Sequence, residues 1–135
     1  MRRTVAELRA ELLKAGRGAG LPLGTAEDLA WAADWIRAEA LKQILDGLRT
    51  GEGRKELTAM ANALDARALG AEPKLSGPLW QALVAFQDQI APPTEALEIS
   101  DAQWRALAGH AAQTYVPETD QSRLRGAGAG DIDND

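Results

Sequence analysis

Residues 25–40 constrain the fold most, because they place apolar side chains on two opposite sides of one predicted helix. Trp31 and Trp35 lie one turn apart, roughly 200–240° around the helix axis from Leu29. A helix that is apolar on two sides cannot bury both against one small core. We therefore expect it either to run through the middle of the domain or to bring its Trp side against a second copy, a partner or a small molecule. The stripe on the other side consists of Leu29, Ala33, Ile36 and Ala40.

The composition favours helices and excludes several classes of site. Ala and Leu together supply one residue in three, and a chain of 135 residues suits one domain with a single core. The sequence contains no Cys and one His. This excludes disulfide scaffolds, Cys-based zinc sites, thiol catalysis and metal centres with several His ligands. We expect no cofactor and no metal site.

The charge balance argues against nucleic acid as a partner. The 15 Lys and Arg residues face 20 Asp and Glu residues, for a net charge of −5, whereas phosphate binding needs a cationic surface. No segment approaches the roughly 18 apolar residues of a membrane span. Glu7, Arg9 and Glu11 interrupt the region where a targeting segment would be apolar. The expectation is a cytoplasmic protein without a membrane partner.

Helix-start signals and apolar periodicity predict an all-α fold over residues 4–115. Thr4 with Glu7 and Ser100 with Gln103 match the capping box, in which two side chains satisfy backbone N–H groups at a helix start. Apolar residues follow both motifs at helical spacing. The sequence therefore predicts a compact bundle of five to six short helices.

The middle of the chain has further helix boundaries. Thr25 is predicted to cap the Trp-bearing helix, and Pro78 suits the first turn of another. The Gly51–Gly53 stretch predicts a break. Periodicity alone leaves open whether residues 25–49 form one helix or two helices with a bend near Glu39.

The domain limits follow from where the apolar pattern stops. Residues 1–117 are predicted to form the helical domain, and residues 118–135 a Gly-rich, acidic C-terminal tail with little to bury. Residues 97–99 alternate between apolar and polar side chains. They permit a short strand pair, although no partner strand is evident.

Gly16, Gly18 and Gly20 crowd the end of the first predicted helix. One interpretation is that they terminate the helix with left-handed backbone conformations. The other is that they form a small-residue surface that another backbone or a ligand approaches closely.

The tail is the second candidate for a ligand site. Its alternating glycines would expose backbone N–H groups as an anion nest, and two Arg side chains would add donors suited to carboxylate or phosphate. A flexible, solubilising tail is the alternative. The residues proposed for this site are Arg17, Gly18, Gly20, Gly24 and Glu27, together with Arg123, Arg125, Gly126, Gly128, Gly130 and Asp133.

The sequence identifies no catalytic residues. His110 lies away from the apolar stripe of its helix, which is typical of a solvated surface histidine. No Gly-x-Ser-x-Gly motif is present, and no spacing singles out two carboxylates for acid–base work. Catalysis is therefore unsupported.

The two ends of the chain are similar to a known family. The segment Arg17–Leu21, followed by a Trp-bearing helix, resembles an uncharacterised bacterial family, domain of unknown function 3726. The stretches Thr114–Pro117, Gly126–Gly130 and Asp133–Asp135 resemble that family's C-terminal end. The family has no established activity. The resemblance implies only that the Gly-rich tail is a family feature.

These observations favour a binding or assembly protein. We expect a homo-oligomer, with a dimer favoured, that uses Trp31 and Trp35 as its interface. The alternative is a protein or enzyme subunit that binds a small anionic ligand between the Arg17–Gly20 turn and the tail.

Overall fold

The computed structural model describes residues 1–115, and side chains as far as residue 113. Within that range the chain forms six α-helices and no strand, so the all-α prediction is confirmed. The helices are α1 (Val5–Ala19), α2 (Leu23–Trp31), α3 (Ala38–Leu48), α4 (Gly51–Ala68), α5 (Pro78–Gln87) and α6 (Asp101–Ala111). Short 3₁₀ helices follow α2 (Ala32–Trp35) and α6 (Ala112–Tyr115). The predicted tail lies outside the described residues.

One hydrophobic core joins all six helices. Helix α1 packs against α2 on one side and α6 on the other, and α3 packs against α4 and α5. The predicted stripe of Leu29, Ala33, Ile36 and Ala40 is buried throughout. The largest fully buried side chains are Leu8, Leu12, Ile36, Leu41, Ile44, Leu48, Leu79, Leu83, Ile99 and Leu107.

Both predicted capping boxes are present. The Thr4 hydroxyl accepts from the Glu7 N–H at 3.0 Å, and the Ser100 hydroxyl accepts from the Gln103 N–H at 3.1 Å. In each motif the Glu or Gln side chain accepts from the capping residue's own N–H. Pro78 occupies the first turn of α5, as predicted.

The predicted start of α2 is wrong. The helix begins at Leu23, directly after Pro22, and Thr25 lies inside it with only 5% of its surface exposed. The backbone of Pro22 already has the φ of −55° that suits a helix start. Because the first turns of α2 pack onto α1, Thr25 is buried rather than free to cap.

The Trp-bearing segment forms two helices rather than one. Ile36 is extended, with φ −83° and ψ 125°, so the chain turns between the 3₁₀ helix and α3. The guanidinium of Arg37 donates to the carbonyl oxygens of Asp34 at 3.1 Å and of Ile36 at 2.8 Å. Of the two alternatives left open for residues 25–49, two helices is therefore correct, with the break at Ile36 and Arg37 rather than near Glu39. The backbone also changes from α to 3₁₀ geometry after Trp31, and this change rotates Trp35 relative to Trp31.

The two interpretations of the first Gly cluster both hold, but at different residues. Gly20 ends α1 in a left-handed conformation, with φ 100°. Gly16 lies inside α1 where α2 crosses it, and a Cβ on Gly16 would come 2.8 Å from the Ala26 Cβ. The small residue at position 16 thus allows the close packing of α1 and α2.

A second close contact joins α3 and α4. The chain breaks at Thr50, which caps α4 through its hydroxyl, and α4 itself begins at Gly51 rather than after the Gly51–Gly53 stretch. A Cβ on Gly53 would come 2.8 Å from the Gly47 Cα and closer still to the Gly47 carbonyl oxygen. This helix crossing has no room for a side chain at position 53.

Residues 97–99 pair with the start of the chain instead of forming a strand pair. Arg2 and Glu98 form a single antiparallel bridge, and the Ile99 N–H donates to the Met1 carbonyl oxygen at 3.0 Å. Arg3 lies beside this bridge with its guanidinium 4.1 Å from the centre of the Trp104 ring. The bridge thus joins the residues before α1 to the residues before α6.

No helix among residues 1–115 has the length and hydropathy that crossing a membrane would require.

Gly53→Ala is expected to destabilise the chain by about 2 kcal/mol, because the added methyl group meets backbone atoms of α3. Gly109→Ala in α6 is the matched control, since a Cβ there meets nothing within 4 Å. The control should be neutral or stabilise by about 0.5 kcal/mol. Urea unfolding of both variants measures the difference, and equal stabilities would contradict the packing described for α3 and α4.

Candidate functional site

The two Trp residues at the centre of the sequence prediction have different environments. Trp31 is the last residue of α2 and is 54% exposed. Trp35 is partly buried, and its indole Nε1–H donates to the Ile90 carbonyl oxygen at 2.8 Å. Its ring centre lies 5.9 Å from that of Phe86. Trp35 thus contributes to the packing of its own chain, whereas Trp31 remains available at the surface.

A cleft of about 270 Å³ lies on one side of Trp31, between α2 and α4. Three carboxylates line it, from Glu27 and Asp28 on α2 and from Asp65 on α4, and we call it the acidic cleft. The remaining lining residues are Pro22, Gly24, Thr25, Trp31, Thr58, Ala61 and Asn62.

Asp28 is the most perturbed acidic group in this cleft. Burial, and then the negative charges of Asp65 and Glu27, raise its pKa from 3.8 to about 6. No described residue forms an ion pair with Asp28. The carboxylate therefore carries its charge at neutral pH at a cost in stability.

A second cleft continues the first along α4 and has the opposite charge. It has a volume of about 390 Å³ and shares Thr58 and Asn62 with the acidic cleft. Its charged side chains are Arg54 and Lys55, so we call it the basic cleft. The groove between α2 and α4 is therefore acidic at one end and basic at the other. Its remaining lining residues are Gly20, Leu21, Gly51 and Ala59.

An apolar groove of about 280 Å³ lies on the other side of Trp31, between α1 and α2. Its walls are mostly small or apolar, and an ion pair between Arg9 and Asp34 at 3.0 Å lies at its edge. The lining residues are Ala6, Arg9, Ala10, Leu13, Glu27, Ala30 and Trp31. We call the surface formed by this groove, Trp31 and the acidic and basic clefts the Trp31 face.

The structure places part of the predicted anion site at this face. Gly20 lines the basic cleft, whereas Gly24 and Glu27 line the acidic cleft. Arg17 is exposed in the last turn of α1, and Gly18 beside it is partly buried. Neither residue lines the acidic or the basic cleft. The remaining residues of that prediction, Arg123, Arg125, Gly126, Gly128, Gly130 and Asp133, lie outside the described residues.

Sequence reasoning missed Thr25, Asp28 and Asp65 as residues of one cleft. The sequence marks Thr25 only as a helix cap, and no pattern in it singles out Asp28 or Asp65 for a site. Only the packing of α2 against α4 brings the two carboxylates together. The spacing of residues along the chain carries no signal for this contact.

Catalytic chemistry gains no specific support from the described residues. His110 is partly buried in the last turn of α6, and burial together with the charge of Arg54 lowers its pKa. Among residues 1–115 no group of three or more His, Asp or Glu side chains is arranged to hold a metal ion.

Comparison with known proteins finds no matching family model, curated protein or solved structure. The resemblance to domain of unknown function 3726 thus stays a prediction.

Asp28→Asn is expected to stabilise the chain at pH 7.5 by about 1 kcal/mol, less than the full pKa shift implies because the carboxyl keeps part of its hydration. The folded chain holds the Asp28 proton more tightly than the unfolded chain does. Native stability should therefore fall as the pH rises from roughly 4 through 6, as Asp28 ionises beside Asp65 and Glu27. Thermal unfolding of both proteins across this range measures the effect. An unchanged difference between them at pH 4 and pH 7.5 would contradict the environment described for Asp28.

Proposed function

We propose that this chain is a binding and assembly protein that forms a homodimer through its Trp31 face. The observation that carries the proposal is the exposure of Trp31. This large aromatic side chain is 54% exposed between the acidic cleft and the apolar groove. Trp is enriched at the centres of protein interfaces because it buries a large, rigid surface. The interface is thus proposed to use Trp31 alone of the two Trp residues first considered.

The charges of the Trp31 face favour a second copy as the partner. A twofold interface places the same patch against itself, so a patch with one sign of charge repels its copy. Here Lys55 and Asp65 stand at opposite ends of the groove, ten residues and about 15 Å apart along α4. When two α4 helices approach in antiparallel orientation, Lys55 of each copy lies close to Asp65 of the other.

The Trp31 face also offers apolar surface for the contact. Specific dimers bury roughly 800 Å² per partner. The Trp31 face spans α1, α2 and α4, and its apolar groove offers Ala6, Ala10 and Leu13 beside the indole. Burial of this apolar surface would supply the affinity, and the paired charges would set the orientation. We further propose that the protein acts in the cytoplasm.

A second candidate is the binding of a small anion in the basic cleft. Arg54, Lys55 and Gly20 line this cleft beside the start of α4, where backbone N–H groups favour negative charge. In the anion site predicted from the sequence, the C-terminal tail would supply the remaining residues. Titration with inorganic phosphate tests it, with saturable shifts of the Gly20 and Lys55 amide resonances expected and unchanged resonances contradicting it.

Trp31→Ala is expected to shift the chain from dimer to monomer, because it removes the largest side chain at the centre of the interface. Sedimentation velocity measures the change against the 14.4 kDa mass of one chain. Ile90→Ala is the matched control, since Ile90 is also 54% exposed but lines neither the acidic cleft nor the apolar groove. A native chain that sediments as a monomer at all concentrations would contradict the proposal.

Charge reversal tests the orientation of the two copies. Lys55→Glu and Asp65→Lys should each weaken association roughly tenfold at low salt, because each places like charges opposite one another. The double variant should restore association, since the pairs re-form with exchanged signs. Lys74→Glu changes an exposed Lys outside the Trp31 face and serves as the control. A double variant weaker than either single variant would rule out the antiparallel approach of α4.

A further inference from the structure

The acidic cleft holds negative charge that the protein itself does not neutralise. Glu27, Asp28 and Asp65 all line it, yet none of them forms an ion pair with any residue in the described part of the chain. Other described acidic side chains, such as Glu39, Glu52 and Glu56, also lack ion pairs, but Glu27, Asp28 and Asp65 share one cleft in which Asp28 is partly buried. Uncompensated carboxylates in a partly desolvated cleft attract a cation from outside.

Thr25 provides a second and independent sign of a ligand. Its side chain is buried, with 5% of the residue exposed, and it lines the acidic cleft without a hydrogen bond to any described residue. Thr58 lines the same cleft, and its hydroxyl donates to the Arg54 carbonyl oxygen at 2.9 Å, as helical Thr residues often do. The Thr25 hydroxyl makes no such local bond, and its oxygen is not sealed off from the cleft, so a donor bound in the cleft can bond to it in place of water.

Trp31 and the size of the cleft narrow the class of ligand. An indole face attracts an organic cation and also packs against its aliphatic chain. The volume of about 270 Å³ lies just below the roughly 300–1,000 Å³ typical of small-molecule pockets. The cleft thus suits a group the size of one Lys or Arg side chain.

We infer that the acidic cleft binds an organic cation, an alkylammonium or guanidinium group on a short aliphatic chain. Asp28 and Asp65 accept hydrogen bonds from the cationic head, the Thr25 hydroxyl accepts another, and the Trp31 ring covers the chain. In the proposed homodimer this group is a Lys or Arg side chain of the second copy, and in the monomer it is a free amine. The site itself depends only on the residues of one chain.

NMR titration with n-butylammonium chloride at constant ionic strength tests the inference. Saturable shifts are expected at Thr25, Asp28 and the Trp31 indole, whereas uncharged n-butanol should leave them unchanged. Asp28→Asn should weaken binding roughly tenfold, because it removes a charge-assisted hydrogen bond. Glu56→Gln loses the same charge outside the cleft and should bind as the native chain does.

Two further variants separate the Thr25 contact from a general effect on the cleft. Thr25→Val should weaken binding severalfold, since it removes the unbonded hydroxyl but keeps the shape of the side chain. Thr58→Val is the matched control, because the Thr58 hydroxyl already has an acceptor within the chain. Equal effects of the two substitutions, or a response to n-butanol as strong as to n-butylammonium, would overturn the inference. Tighter saturation of the same residues by Mg²⁺ would also overturn it.

Titration of Lys55→Glu distinguishes this inference from the proposed dimer. This variant keeps every residue of the acidic cleft but is expected to lose self-association. If the chain binds the amine but never dimerises, the acidic-cleft site is supported and the dimer is contradicted. If the native chain dimerises but its Lys55→Glu variant binds no amine, the dimer is supported and the site is contradicted. Release of the native dimer by n-butylammonium would identify a side chain of the second copy as the natural occupant, and an intact dimer with amine bound would identify a free amine.

Discussion

Arg37 holds the turn between α2 and α3 through its guanidinium group, which donates to the carbonyl oxygens of Ile36 at 2.8 Å and of Pro93 at 3.3 Å. The first contact gives the Ile36 carbonyl oxygen, at the end of the 3₁₀ helix, a hydrogen-bond donor. The second ties the turn to the segment after α5. Because the chain changes direction here, the Ile36 side chain is buried in the core, and α3 runs in a different direction from the 3₁₀ helix before it.

The change from α to 3₁₀ geometry after Trp31, just before this turn, separates the environments of the two Trp residues. Trp35 is held against Phe86 and the Ile90 carbonyl, so its surface is largely used within the chain. Trp31 ends α2 and stays outside, where the crossing of α2 with α1 and α4 leaves a groove on each of its sides. The close Gly16–Ala26 contact brings α2 near α1.

Much of the helical framework could be predicted because its signals are local. Thr4 and Ser100 cap helices through residues three positions away, and Pro78 fixes the backbone of its own helix start. The prediction that Thr25 caps α2 failed because the burial of α2 against α1 overrides the capping preference of this residue. Asp28 and Asp65 could not be paired from the sequence, since they lie on different helices, and their meeting depends on a crossing that no local pattern encodes.

The proposed homodimer depends on Trp31 being covered by a second copy of the chain. The indole N–H resonances of Trp31 and Trp35 report on this directly in two-dimensional NMR spectra recorded during dilution. We expect the Trp31 resonance to move with concentration as the dimer dissociates, whereas the Trp35 resonance, held by its hydrogen bond to Ile90, stays in place. A Trp31 resonance that does not change over the whole range would contradict the account.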